Sequence, residues 1–253
     1  MTKLCIKCPD GFVNQLRLSL AANYLVSNKI IESAEQEWVI NNHNVVSYEK
    51  FFHPLPNVKF VNPISDEQKI ITTQSFTGLL WMINKDIKKA FRESYKDLII
   101  KEKTKSLIDI YINENDIKNC IGVHVRTGCK TAILLSDDNR NLPTNVSRSI
   151  IELLHTNHKI YLATDNHETQ EKYKQIFGDR LLFFDKIKKG KESFGPRYDR
   201  DKVRRFTSDI HVVADFLILQ KCKKFIGSNE SSFSIAIKWL RENYADTKIL
   251  GIL

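Results

Sequence analysis

No stretch of this sequence approaches the roughly 18–20 consecutive apolar residues that a membrane-spanning helix needs, which argues against an integral membrane protein. The first residues, Met1 to Cys8, alternate like a strand and lack the long apolar region of a secretory signal, so a cytoplasmic chain is expected. Cysteine is sparse: Cys5, Cys8, Cys120, Cys129 and Cys222 are an odd number without paired spacing, which argues for reduced thiols over a disulfide framework. The sequon-like segments at Asn145 and Asn229 then carry no meaning. Cys5 and Cys8 form one CxxC, but three residues apart on a strand they point to opposite faces. Zinc needs four ligands, and no second CxxC or HxxxH supplies them, so no structural zinc is expected. There is no internal repeat, low-complexity tract or DNA-binding motif.

What is present is an ordinary soluble composition, 42% hydrophobic and 27% charged over 253 residues, enough for one large domain or two small ones. The net charge of +9 suggests an anionic partner without choosing among nucleic acid, membrane and nucleotide. Residues 186–205 carry nine Lys or Arg against three Asp or Glu, and Gly190, Gly195 and Pro196 break regular structure there. This basic loop reads equally as solvated surface or as a functional element. Its aromatic residues are not interleaved with the cations as single-strand binders require, so nucleic acid is not the expected partner.

Short apolar runs alternate with amphipathic stretches along the chain, the rhythm of α/β layers on a mostly parallel sheet. The pattern predicts strands at Leu4–Lys7, Trp38–Ile40, Val58–Val61, Ile70–Thr73, Ile121–Val125, Lys159–Ala163, Leu181–Phe184, Lys224–Ile226 and Lys248–Ile252. Helices are predicted over Asn14–Ser27, Asn84–Tyr95, Leu98–Tyr111, Val146–His155, His167–Phe177, Val203–Leu219 and Ser232–Glu242. The polar stretch Asn113–Lys118 suggests two domains, 1–115 and 116–253.

The segment Ile121-Gly-Val-His-Val-Arg-Thr-Gly128 is the most informative. It reads as a buried strand that delivers His124, Arg126 and then Lys130 to its C-terminal end, where open α/β sheets bind ligands. Arginine's planar donor fork matches phosphate geometry and keeps its charge, although a lone strand-end Arg can equally form a salt bridge. Three further segments add to it. Tyr161-Leu-Ala-Thr-Asp-Asn166 ends a strand with Thr164 and Asp165. Asp215 sits inside the otherwise apolar run Val212–Leu219, where a carboxylate needs a partner. That partner could be the N1–H and 2-amino donors of a guanine, an internal cation, or solvent. Finally, Phe225-Ile-Gly-Ser-Asn-Glu-Ser-Ser-Phe-Ser234 is a strand, a turn containing Ser228, and a serine-rich helix start. Unpaired N–H groups and the partial positive charge of a helix N-terminus favour phosphate. Ser231 alone could be an N-cap, but Ser231, Ser232 and Ser234 together suggest a pyrophosphate cradle with Arg126.

These segments, with Gly11-Phe-Val-Asn-Gln-Leu-Arg17, resemble the superfamily of GDP-fucose-dependent fucosyltransferases, which includes α1,2- and α1,6-fucosyltransferases, nodulation enzymes and protein O-fucosyltransferases. The likeness spreads over residues 115–245, is thin over 1–60, and is missing from 62–112. It implies a compact GT-B-like α/β fold, two Rossmann-like domains facing a cleft, with the donor on the C-terminal one and the acceptor on the N-terminal side. It also implies an inverting glycosyltransferase with no cofactor beyond GDP-fucose as donor substrate. Arg126 would hold the β-phosphate with His124 beside the nucleotide, and Asp215 would read guanine or ribose. Ser231, Ser232 and Phe233 would pack on diphosphate and base, and Asn14 would face the cleft. Where many relatives carry a second Arg after HxR, this chain has Thr127-Gly128-Cys129. Lys130, Arg197, Arg204 or Arg205 could stand in.

Transfer from a nucleotide sugar needs a stabilised diphosphate leaving group and a base for the acceptor hydroxyl. Asp10, Asp137 and Asp138 are base candidates by position, with Asp137 or Asp138 preferred because they follow the phosphate Arg. Asp137 and Asp138 are adjacent rather than spaced as DxD, so metal-independent chemistry is expected. The leading expectation is fucosyl transfer to a glycan or other hydroxyl acceptor. A transferase using another nucleotide sugar, and a non-catalytic nucleotide- or nucleic-acid-binding protein, remain open.

Overall fold

The computed structural model of the chain describes residues 3–8, 11–40, 46–61, 70–71, 87–125, 152–165, 167–184, 208–228, 231–241 and 247–250. It divides into two compact units, Met1–Lys105 and Ser106–Leu253. The division falls inside a helix, Glu102–Glu114, ahead of the polar stretch 113–118.

The first unit contains β1 (Lys3–Cys8), α1 (Phe12–Ser27), β2 (Ser33–Trp38), the single turn α2 (Tyr48–Phe51), β3 (Val58–Val61), β4 (Ile70–Ile71) and α3 (Ile87–Tyr95). Its strands are all parallel, in the order β3-β2-β1-β4. Helix α1 buries Leu16, Leu18, Leu20 and Leu25 completely. It ends where Lys29 turns left-handed at φ 57° and the N–H groups of Ile30 and Ile31 fold back onto the Leu25 carbonyl.

Strand β2 corrects the expected strand at Trp38–Ile40. The real strand is the polar run Ser33-Ala-Glu-Gln-Glu-Trp38, paired residue for residue with β1. One face sets Glu35 and Glu37 against Lys3 (2.9 Å), Lys7 (3.0 Å) and Lys59 (3.8 Å), while Ala34 and Gln36 turn inward. Cross-strand ion pairs let this face stay charged at little cost, and no apolar run advertises the strand.

The second unit contains most of α4 (Glu102–Glu114), a 3-10 turn at Ile117–Asn119, β5 (Ile121–Val125), β6 (Ile160–Thr164), α5 (His167–Phe177), β7 (Leu181–Leu182), α6 (Asp209–Lys221), β8 (Lys224–Ser228), α7 (Ser232–Leu240) and β9 (Thr247–Leu250). Its parallel order is β7-β6-β5-β8-β9. Numbered within the unit this is 3-2-1-4-5, the Rossmann order, whose topological switch point lies between the first and fourth strands. Ile121, Val123, Ile160, Leu162, Tyr173 and Phe177 form the core on one side of the sheet. Gly122 lets α6 approach the other side, because a Cβ there would lie 2.7 Å from Leu219 Cδ2 and 3.0 Å from Cys222 Sγ.

The fold class is therefore the expected one, α/β in a compact GT-B-like version with two Rossmann-like sheets. Helix α4 begins at Glu102 rather than Leu98, because Leu98 is buried and Ile100 forms a bridge with Phe52. Of the helix expected at Val146–His155, Glu152–Leu154 are helical and residues before Glu152 lie outside the described ones. Among the described residues no helix is long and apolar enough to cross a membrane.

Candidate functional site

The switch point of the second unit is the gap between β5 and β8 at their C-terminal ends. β5 ends at His124 and Val125, β8 ends at Gly227 and Ser228, and α7 starts immediately beyond. All three elements meet at one side chain. Ser234 Oγ lies 2.7 Å from His124 Nδ1 and accepts a 3.1 Å hydrogen bond from the Ser228 backbone N–H. Gly227 makes this possible, since a Cβ there would stand 2.6 Å from Ser234 Oγ. The His124 ring lies tilted against Phe233 with centroids 4.8 Å apart, and Phe233 meets Phe216 of α6 edge-on at 5.6 Å.

Ser231 is the N-cap residue of α7 by backbone conformation, and its carbonyl accepts from Ile235 N–H at 2.9 Å. Its side chain does not cap. Ser231 Oγ is buried, with the residue only 1% exposed, and has no hydrogen-bond partner among the described residues. A buried hydroxyl without a protein partner is costly unless water or a polar ligand satisfies it. Here it sits at a helix N-terminus, where the backbone already favours an anion. Ser228 and Ser232 are half-buried beside it.

Asp215 has found its partner inside the chain. The Tyr161 hydroxyl donates to Asp215 Oδ1 at 2.6 Å, and His211 Nε2 lies 3.1 Å from Oδ2. Tyr161 is wholly buried on β6, and burial first, then the Asp215 charge, push its pKa well above that of an ordinary phenol, so it remains a donor. Tyr161 pairs in register with Gly122, two residues before His124. At about 3.3 Å rise per residue, Asp215 is thus tied to the sheet some 6–7 Å below the level of His124. The burial of Asp215 needs no nucleotide to explain it. A carboxylate offers about four acceptor sites, so these two contacts leave room for further donors. The internal pair was legible in part, because His211 and Asp215 stand at i,i+4 on a helix. Tyr161 gave no signal.

Thr164 ends β6 in register with Val125 and is buried, and Asp165 follows it half-buried. In the first unit the corresponding edge follows β1. Gly11 precedes α1, and Asn14 lies half-buried in its first turn with its N–H bonded to the Gly11 carbonyl at 2.9 Å. Arg17, one turn on, has its pKa lowered to about 10 by burial and stays charged at neutral pH. Its neighbour Gln15 is structural: its amide both donates to Val39 O (2.7 Å) and accepts from Val39 N (2.9 Å).

The structure thus brings together His124, Ser228, Ser231, Ser232, Phe233 and Ser234 of the expected site, adding Gly227; the Ser234 hydroxyl is bonded to His124 and the Ser228 N–H. Asn14 belongs to the other unit. Arg126, Lys130, Asp137, Asp138, Arg197, Arg204, Arg205 and Asp10 lie outside the described residues. The described cysteines, Cys5, Cys8, Cys120 and Cys222, are buried free thiols, and burial raises Cys120 to about 11.

No family model and no curated protein matches the sequence. Solved structures do match. The fucosyltransferase NodZ from Bradyrhizobium superposes with a TM-score of 0.57 at 14% identity, over 94% of this chain and 93% of that one. A NodZ α-1,6-fucosyltransferase crystal soaked with GDP-fucose also gives 0.57, at 15% identity over 94% and 93%. POFUT1 in complex with GDP gives 0.52 at 12% identity, over 99% of this chain and 98% of that one. At these identities the chain shares the fold of these fucosyltransferases along nearly its whole length.

Proposed function

We propose that the chain is a glycosyltransferase that moves fucose from GDP-fucose to a hydroxyl acceptor, a glycan being the expected class. The observation that carries this reading is the orphaned Ser231 hydroxyl at the N-terminus of α7, at the switch point of a Rossmann sheet beside His124. A diphosphate oxygen is the ligand such a position suits, and the shared fold supports a guanine-nucleotide sugar as the molecule bearing it. In this reading Ser231, Ser232 and the first N–H groups of α7 bind the diphosphate. Arg126, the second residue after His124, neutralises the charge that develops as it leaves. Asp215 contributes to the guanine end, and Asn14 belongs to the acceptor-side unit.

The reaction is a displacement at the anomeric carbon. The acceptor oxygen forms the new bond, the bond to the β-phosphate oxygen breaks with its electrons going to GDP, and a carboxylate takes the acceptor's proton. Asp137 or Asp138 is the proposed base, the outcome is inversion, and cations and helix N–H groups replace a metal. The buried free thiols support a reducing, cytoplasmic setting.

The test compares thermal stability with GDP, UDP, ADP and an oligonucleotide. GDP at about a hundred times its Kd should add roughly 2.7 kcal/mol, or about 5–10 °C in Tm. The other three should add far less, and incubation of GDP-fucose with a glycan panel should release GDP with a matching product mass. Equal shifts with all diphosphates would overturn the guanine assignment, and stabilisation by the oligonucleotide alone would overturn the enzyme.

A further inference from the structure

We infer that Ser234 is a positioning residue that fixes His124 in the tautomer carrying its proton on Nε2, so that His124 acts as an uncharged hydrogen-bond donor. The argument starts from the donors and acceptors of one buried hydroxyl. Ser234 is 0% exposed, so its O–H has no water to turn to. Its oxygen accepts from the Ser228 N–H at 3.1 Å. A backbone N–H can only donate, so this assignment is secure. Ser234 Oγ makes one other hydrogen bond among the described residues, the 2.7 Å contact with His124 Nδ1.

Two arrangements of that contact are conceivable. If Nδ1 carried a proton and donated it, Oγ would accept twice and its own proton would be left buried without an acceptor, a costly state. If Oγ donates, each group is satisfied: Ser228 N–H to Ser234, Ser234 O–H to His124 Nδ1. Nδ1 is then the bare nitrogen, and the single proton of the neutral ring sits on Nε2. Which ring nitrogen bears the proton is commonly set in this way by the bond its counterpart makes.

The surroundings hold the hydroxyl in place. A side chain at Gly227 would collide with Ser234 at both Oγ (2.6 Å) and Cβ (2.8 Å), so glycine there keeps the path open. Ser234 lies in the first turn of α7, one residue after Phe233, whose ring rests on His124. Ring contact and hydrogen bond therefore reach His124 from adjacent residues of the same turn. The consequence for recognition rests on the function proposed above: a ring protonated on Nε2 can donate to an acceptor atom of the nucleotide sugar, such as a phosphate, ribose or guanine oxygen, and brings no positive charge of its own.

The experiment uses the full chain labelled with 15N-histidine and long-range proton–nitrogen correlation spectra, with His124 identified by the signal lost in His124→Gln. The expected wild-type spectrum shows His124 Nδ1 unprotonated and Nε2 protonated. Ser234→Ala should convert the His124 signal to a mixture of tautomers while the other histidines keep theirs. A protonated Nδ1 in the wild type, or an unchanged tautomer in Ser234→Ala, would overturn the inference. Should Ser234→Ala fail to fold, the wild-type spectrum alone decides.

Kinetics supply the second readout. Ser234→Ala should weaken GDP binding about tenfold and leave the KM for acceptor unchanged. His124→Gln, which keeps a donor near the Nε2 position, should retain more GDP affinity than His124→Asn; the reverse ranking would count against a donor at Nε2. If the tautomer is as stated but GDP leaves the His124 signals untouched, the positioning role stands and the nucleotide-sugar reading falls.

Discussion

The two parallel sheets follow the same path, 3-2-1-4 in the first unit and 3-2-1-4-5 in the second, yet they place their buried polar groups differently. In the first unit these groups run along the length of α1. Gln15, Ser19 and Asn23, spaced by four, are completely buried and hold β2 and the following chain: Gln15 clamps Val39, Ser19 donates to Gln36 Oε1 at 2.6 Å, and Asn23 reaches Asp97 at 2.7 Å. In the second unit a hydroxyl network lies at the sheet's C-terminal edge, around Ser234, with a deeper cluster of Asp215, Tyr161 and His211 behind it. Topology alone therefore does not make a ligand site. Among the described residues, the second edge carries a buried hydroxyl, that of Ser231, left open at the start of a helix.

The largest effect that would break this comparison comes from Arg126→Ala. It should lower fucosyl transfer by about a hundredfold or more while leaving Tm nearly unchanged, the pattern expected of a cation that serves the ligand. Steady-state assays with GDP-fucose alongside a melting curve check it, and surviving activity would remove the phosphate role.

Next in size is a matched pair. Tyr161→Phe strips a hydrogen bond from a buried carboxylate, and Gln15→Leu strips two from the Val39 backbone. Each should destabilise by about 2 kcal/mol, read in urea unfolding. The two should differ in GDP affinity: Gln15→Leu leaves it intact, whereas Tyr161→Phe loosens Asp215 and lowers it severalfold. Equal GDP binding by both would place Asp215 in the scaffold alone.

The smallest effect tests the charged face of the first sheet. Lys7→Ala removes the 3.0 Å pair with Glu37, whose Lys side chain is 43% exposed. The loss should be under about 1 kcal/mol and shrink in high salt. A salt-independent loss of several kcal/mol would mean that these pairs are not solvated surface partners.

Strands in the second unit were legible because Ile121–Val123 are buried on both faces of β5 and Phe225-Ile226 form the apolar centre of β8, so both read as compact apolar runs. Strand β2 was not, because its outward face is written in Ser33, Glu35 and Glu37, and only pairing with Lys3, Lys7 and Lys59 makes that pattern a strand. Helix α1 shows the same effect in reverse. Its polar stripe looks like a solvent face in sequence and is interior in the fold, because its partners lie 17–74 residues away.

The candidate site divides the same way. The serine run before an apolar helix and the histidine at the end of a buried strand announce an anion-binding edge from local chemistry. The partner of Asp215 was left open between a ligand and the chain itself, and it was decided by Tyr161, 54 residues distant, together with His211.

Alternating apolar runs and turn residues were enough, by themselves, to determine layered α/β architecture and the edge where small polar side chains gather, since both follow from periodicity and short-range hydrogen-bond demand. Strand order, the meeting of β5 with β8, and the choice of which serine touches His124 and which is left without a partner were decided only by tertiary structure. Those depend on parallel pairing between segments a hundred residues apart, where β5 joins β8, and no local pattern encodes the register of such a contact.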